Sequence, residues 1–137
     1  MARRTVQTAK KGSWNMMSKY IRARDCFRDT RGFEIGNCVT CGKPVAFNDA
    51  NAGHFISRVK TSVMFDERNV HLQCVYCNKY KGGNGEKYFP FMLKRYGLKV
   101  IEELTAREND IVIESIEYYD EKKKYYKDKL LKLNYEI

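Results

Sequence analysis

No run of 18 apolar residues occurs in this 137-residue chain, and the opening MARRTVQTAKKGSWNMM has no apolar core of the kind a signal peptide carries. A membrane partner is therefore not expected, and the chain reads as cytoplasmic. Acidic side chains are scarce: 17 Asp and Glu stand against 26 Lys and Arg, leaving a net charge of +9. That balance favours a polyanionic partner such as nucleic acid. No signature of an RNA-binding module is present, which turns the expectation toward DNA. Internal repeats are absent apart from one cysteine pair that occurs twice. Histidine is rarer still, with His54 and His71 alone, so any imidazole chemistry must use one of these two.

At this length one compact domain is expected, with a core modest enough that a metal staple would matter. Five cysteines are present, and four of them form two CxxC pairs, Cys38/Cys41 and Cys74/Cys77. In a reducing compartment such pairs indicate metal rather than disulfides, and four thiolates at tetrahedral distance bind Zn²⁺ strongly enough to organise a small fold. A redox CxxC needs a βαβ context that this sequence lacks, and two such motifs would be redundant. Cys26, in RARDCFRD, reads as a semi-buried helix residue.

Residues 1–12 carry four basic side chains and few apolar ones, and they read as a basic flexible arm. From Ser13, a plausible N-cap, Trp14, Met17, Ile21 and Arg24 fall at helical spacing, and the helix runs to about residue 29, with Lys19, Arg22 and Arg28 on its basic face. FEIGNCVTCGKPV suggests a zinc knuckle between two short strands. NAGHFISRV alternates next, placing Ala52, His54, Ile56 and Arg58 on one face. NVHLQC would be a third strand, with Asn69, His71 and Gln73 together, and VYCNKYK a helix that GGNG interrupts. EKYFPFMLKRYG and LKVIEELTARE read as two further helices, the first interrupted or delayed by Pro90. Residues 108–137 form a long amphipathic helix with Val112, Ile116, Tyr119, Tyr126, Leu130 and Leu133 at three-four spacing. Packing on the core is the first reading of that stripe, and a homodimer interface the second.

Between Cys41 and Cys74 the chain is longer than a zinc ribbon requires, and it holds the residues that carry chemistry. His54 on a first strand, Asn69 at the start of a second, and Asn78 on a helix just past the last cysteine follow the layout of an HNH nuclease. An imidazole suits general-base activation of water near neutral pH. A metal ion offsets the charge gained by the pentacovalent phosphate. The stretches WNMMSKYIRARDCF, CVTCGK, AGHFISR, FDERNVHLQCVYCNKYKGGN and KRYG together resemble the NinG (Rap) recombination proteins of lambda-like phages, over roughly residues 13–105. The resemblance implies an α+β fold, a small zinc-stabilised, treble-clef-like ββα-metal (HNH) core spanning residues 13–107 with flanking N- and C-terminal helices. It also implies an endonuclease acting on branched recombination intermediates, such as a Holliday junction or D-loop, in the host cell cytoplasm.

By that similarity His54 is the base, Asn69 the orienting asparagine, Asn78 the helix ligand of a catalytic Mg²⁺ or Mn²⁺, and the four paired cysteines the zinc site. The HNH position before the base is often a metal ligand, and here it is Gly53. Asp49 or His71 would then complete the cation site, and His71 is preferred because it is expected beside Asn69 and facing the same way as His54. Arg58 and Lys81 are expected against DNA phosphate. Tyr76, Tyr80 and Tyr88 would stack on unpaired bases or pack in the core. Two other functions suit the same residues. One is a zinc-dependent, structure-selective DNA-binding module without nuclease activity; the other is an HNH enzyme of homing or restriction type.

Overall fold

The computed structural model describes residues 4–135, and its architecture is α+β. Helix α1 (Val6–Thr30) leads into a hairpin of β1 (Ile35–Asn37) and β2 (Pro44–Ala46). Strand β3 (Ala50–His54), the short helix α2 (Thr61–Met64) and strand β4 (Val70–Cys74) follow, with β3 and β4 paired antiparallel. A single π-helical turn (Tyr76–Tyr80) leaves β4, and α3 (Gly85–Tyr96), α4 (Leu98–Arg107) and α5 (Ile116–Lys132) complete the chain. No helix among the described residues is long and apolar enough to cross a membrane.

The β3–β4 pair lies between two apolar clusters. On one face Ala50, Ala52, Val70 and Leu72 meet Met17, Ile21 and Cys26 of α1 and Tyr119, Tyr126 and Leu130 of α5. On the other, Val63, Tyr88, Met92, Ile101 and Leu104 form a smaller core. Helix α1 is fastened to β4 by polar contacts as well. The buried Asp25 carboxylate accepts the Leu72 amide at 2.8 Å, and Arg24, bonded to Asp25, donates to the carbonyls of Val70 and Glu67. Burial acts to raise the Asp25 pKa, but the Arg24 guanidinium outweighs it and holds the carboxyl below its ordinary value.

Several sequence expectations change here. The basic arm is not an arm beyond residue 5: Thr5 caps α1 by accepting the Thr8 amide, Ala9 and Ser13 are buried, and Arg4 and Lys10 pair with Asp120 and Glu114. Residues 1–3 of that arm lie outside the described residues. The helix extends because its first turns lie along α5, a contact no local pattern reveals. The C-terminal helix begins only at Ile116, capped by Ser115, and its apolar stripe packs on α1 of the same chain, the first of the two readings given for it. The basic face of α1 is largely occupied within the fold. Arg22 donates to the Phe47 carbonyl and lies 4.5 Å over its ring, while Arg28 reaches Asp25 and Asp29. Cys26 is fully buried, and burial pushes its thiol up to about 11.

Candidate functional site

Two sites share the segment around β4. The first is the cysteine cluster. Cys38 and Cys41 sit on the turn between β1 and β2, and Cys74 and Cys77 on the end of β4 and the turn after it. Their four sulfur atoms lie within 4.8 Å of one another. Backbone amides already point at sulfur: Cys74 donates to Cys38 Sγ at 3.3 Å and Cys77 to Cys74 Sγ at 3.5 Å, while the Asn84 side chain donates to Cys77 Sγ at 3.5 Å. Burial acts to raise the Cys38 thiol, yet amides of Cys41 and Cys74 pull it down to about 6; burial pushes Cys74 up to about 12. Four sulfurs this close cannot all ionise without a central cation. The donor set and spacing fit one Zn²⁺.

The second is a cleft of about 670 Å³ over the β3 edge, lined by His54, Asn51, Asn78, Arg58, Lys79 and Trp14 among others. His54, Asn78 and Arg58 therefore converge as the sequence predicts. The His54 ring stacks on Trp14 with centroids 4.7 Å apart, and its Nε2 lies 3.0 Å from the Met64 carbonyl. A carbonyl only accepts, so Nε2 carries the proton and Nδ1 keeps the lone pair. Burial lowers the His54 pKa to about 4, which leaves the ring neutral at pH 7.

Asn69 does not enter the cleft. It is fully buried, receives the Ile56 amide at 2.8 Å, and donates to the carbonyls of Ile56 and Val63. It thus ties the turn after His54 to the segment that presents the Met64 carbonyl. Strand β3 stops at His54, so the alternation expected through Arg58 gives way to this turn.

His71 is placed differently from its expected position. The register pairs His54 with Val70 and Gly53 with His71, so the two histidines face opposite sides of the sheet. His71 is fully buried, with Nδ1 3.0 Å from the Tyr88 hydroxyl and Nε2 2.7 Å from that of Tyr96. Tyr88 donates its proton to the Gly53 carbonyl at 2.7 Å. It therefore accepts from His71 Nδ1, and Tyr96 donates to Nε2. With both nitrogens engaged, His71 is no ligand for a cation in the cleft. Its hydrogen-bond chain ends instead on the residue before His54. Asp49, the alternative, is exposed and does not line the cleft. Lys81 lies beside the cysteine cluster rather than in the cleft, and Tyr88 is core.

Gly53 has a local cause. A Cβ there would fall 2.0 Å from Gln73 Oε1, so the Gln73 amide occupies the space a side chain at 53 would need. Sequence reasoning missed Asn51, whose side-chain nitrogen is buried without a partner among the described residues, and the place of Trp14 in the cleft against His54. Helical spacing marked Trp14 as apolar, and only the tertiary fold brings it against the imidazole.

A family model described as the bacteriophage lambda NinG protein matches residues 3–136. Protein ninG of Salmonella phage P22 is 33% identical over 91 residues, covering 66% of this chain and 40% of that protein. The ninG proteins of Escherichia phages 933W and lambda are 33% and 32% identical over 94 residues, covering 68% of this chain and 42% of each. The chain thus spans about two fifths of the length of these relatives. No solved structure matches it.

Proposed function

This chain belongs to the family of the bacteriophage lambda NinG protein, and on that premise we propose that it is a phosphodiester hydrolase of the HNH type acting on branched DNA. The β3–β4 pair with its following helical turn is read as the ββα core, and the cysteine hairpin as a treble-clef knuckle holding structural zinc. The observation that carries the reading is the His54 tautomer. Nε2–H is bound to the Met64 carbonyl and Nδ1 is left basic in a cleft that also contains Asn78, Arg58 and Lys79.

In this reading His54 Nδ1 accepts a proton from the attacking water. Trp14 and the Met64 carbonyl hold the ring in place, and Asn69 holds the backbone that presents that carbonyl. The ring's low pKa keeps it unprotonated, and a phosphate bound alongside favours the imidazolium as it forms. Arg58 and Lys79 meet backbone phosphates at the mouth of the cleft. The cation requirement fits only in part. No carboxylate of the described residues lines the cleft, so Asn78, with Asn51 nearby, would offer a Mg²⁺ or Mn²⁺ only neutral amide oxygen, and water and the substrate phosphate would have to supply its remaining ligands. Such an ion supplies Lewis-acid stabilisation of the phosphorane charge. Shape selection by phosphate contact agrees with the net charge of +9. Cleavage of a labelled four-way junction and a D-loop in Mg²⁺ or Mn²⁺, with linear duplex resistant, is the expected result. Intact substrates in every metal would reduce the protein to a binding module, and cutting at a defined sequence in linear duplex would make it a homing or restriction type.

A further inference from the structure

The π-helical turn carries an aromatic pair that the nuclease reading does not use. Tyr76 is 61% and Tyr80 79% exposed. Their rings lie side by side, with centroids 6.0 Å apart and planes 30° from parallel. Four of the other eight tyrosines, Tyr20, Tyr88, Tyr119 and Tyr126, are buried. The turn itself is rigidly founded. Cys77 at its centre is buried within the cysteine cluster, and Lys81 closes the wide turn by donating its amide to the Tyr76 carbonyl at 3.0 Å.

Charge surrounds the pair on both sides. Lys81 Nζ sits 5.8 Å from the Tyr76 ring. Tyr76 also lines a hollow with Lys43, Lys81 and Lys87, and no carboxylate of the described residues is part of its lining. On the other side the same turn presents Asn78 and Lys79 to the cleft. One turn therefore contributes to both cavities, Asn78 and Lys79 to the cleft and Tyr76 to the lysine hollow.

We propose that Tyr76 and Tyr80 form a stacking platform for unpaired nucleobases, with Lys43, Lys81 and Lys87 holding the phosphates of the same single strand. A tyrosine face accepts any base, while the bases of intact duplex already have both faces covered, so the platform selects DNA that offers a single-stranded segment beside the scissile phosphate. The inference rests on the nucleic-acid reading above and gives it a source of structure preference.

The test is fluorescence anisotropy with a labelled oligothymidylate and a blunt duplex of equal length, in buffer with zinc but no other divalent cation. Wild type, Y76A/Y80A and Y76F/Y80F are compared at several salt concentrations. The alanine pair should weaken oligothymidylate binding by about tenfold or more, leave duplex binding within about twofold, and keep the wild-type melting temperature because both rings are exposed. The phenylalanine pair, which keeps both rings, should bind like wild type. Equal oligothymidylate affinity for wild type and Y76A/Y80A would overturn the platform and leave the tyrosines as a face for a protein partner, with the nuclease reading intact. A wild type that binds neither oligonucleotide would overturn both readings.

Discussion

The two faces of the β3–β4 sheet each carry one of the two histidines, and they use it in opposite ways. His54 keeps one ring nitrogen unengaged at the rim of an open cleft, whereas His71 has both nitrogens bonded to tyrosine hydroxyls and no exposure to solvent. Both pKa values are pushed down by burial, to about 4 and about 3. A depressed pKa therefore does not separate the two histidines; what distinguishes His54 is a lone pair left available in a cleft that also holds Arg58 and Lys79. The faces are also linked, since the chain from Tyr96 through His71 and Tyr88 ends on the Gly53 carbonyl. In the proposed reading one face would do the chemistry and the other would fix the strand that presents it.

The most severe way to break the comparison is to remove the cysteine cluster, which anchors the end of β4 beneath both faces. Chelation, or Cys74→Ser, is expected to abolish cooperative unfolding, because structural zinc contributes about 10 kcal/mol or more to such folds. Circular dichroism melts before and after chelation check this, together with metal analysis finding about one Zn²⁺ per chain. Next in size, His54→Ala should lower cleavage by about 10²–10⁴-fold while branched-DNA binding persists. His71→Ala should do the reverse. It strands two tyrosine hydroxyls and opens a cavity, at a cost of about 2–4 kcal/mol, and cleavage per folded molecule should fall by no more than about tenfold through the displaced Gly53.

The pH dependence sharpens the same contrast. Both histidines have folded pKa values below the unfolded value of about 6.5, so the unfolded chain binds more protons between those limits and stability rises with pH there. Stability should be fully present above about pH 6.5 and lost as pH falls toward 4. Chemical denaturation at a series of pH values should give a shallower slope for His71→Gln than for wild type. The smallest effect is expected from Arg58→Ala. It should weaken DNA binding a fewfold and reduce the salt slope by about one, without altering the melting temperature.

Where the sequence was legible, the signal was local. The CxxC spacings mark the metal ligands without knowledge of the fold, and the cysteine hairpin, the following strands and α4 lie where short-range pattern places them. Asn78 and His54 meet because each is fixed by a neighbouring element of strong pattern. His71 was misplaced for a definite reason. Strand parity depends on register, and the pairing of His54 with Val70 instead of His71 reverses the face it shows. The start of α1 was hidden because its lysines and arginines resemble a solvated tail, and only α5, more than one hundred residues away, supplies the partners. The segment 111–115 went the other way. Val112 falls on the three-four spacing of the stripe, but residues 111–115 are not helical, and the helix waits for the Ser115 cap.

The central claim is that His54 alone of the two histidines performs the chemistry. It is tested most directly by cleavage of a labelled four-way junction, a D-loop and matched linear duplex, in Mg²⁺ and in Mn²⁺, by wild type, His54→Ala and His71→Gln, each verified as folded. The account predicts that wild type and His71→Gln cut the branched substrates while His54→Ala binds them and leaves them whole. Undiminished cutting by His54→Ala, or loss of cutting in folded His71→Gln alone, would contradict it.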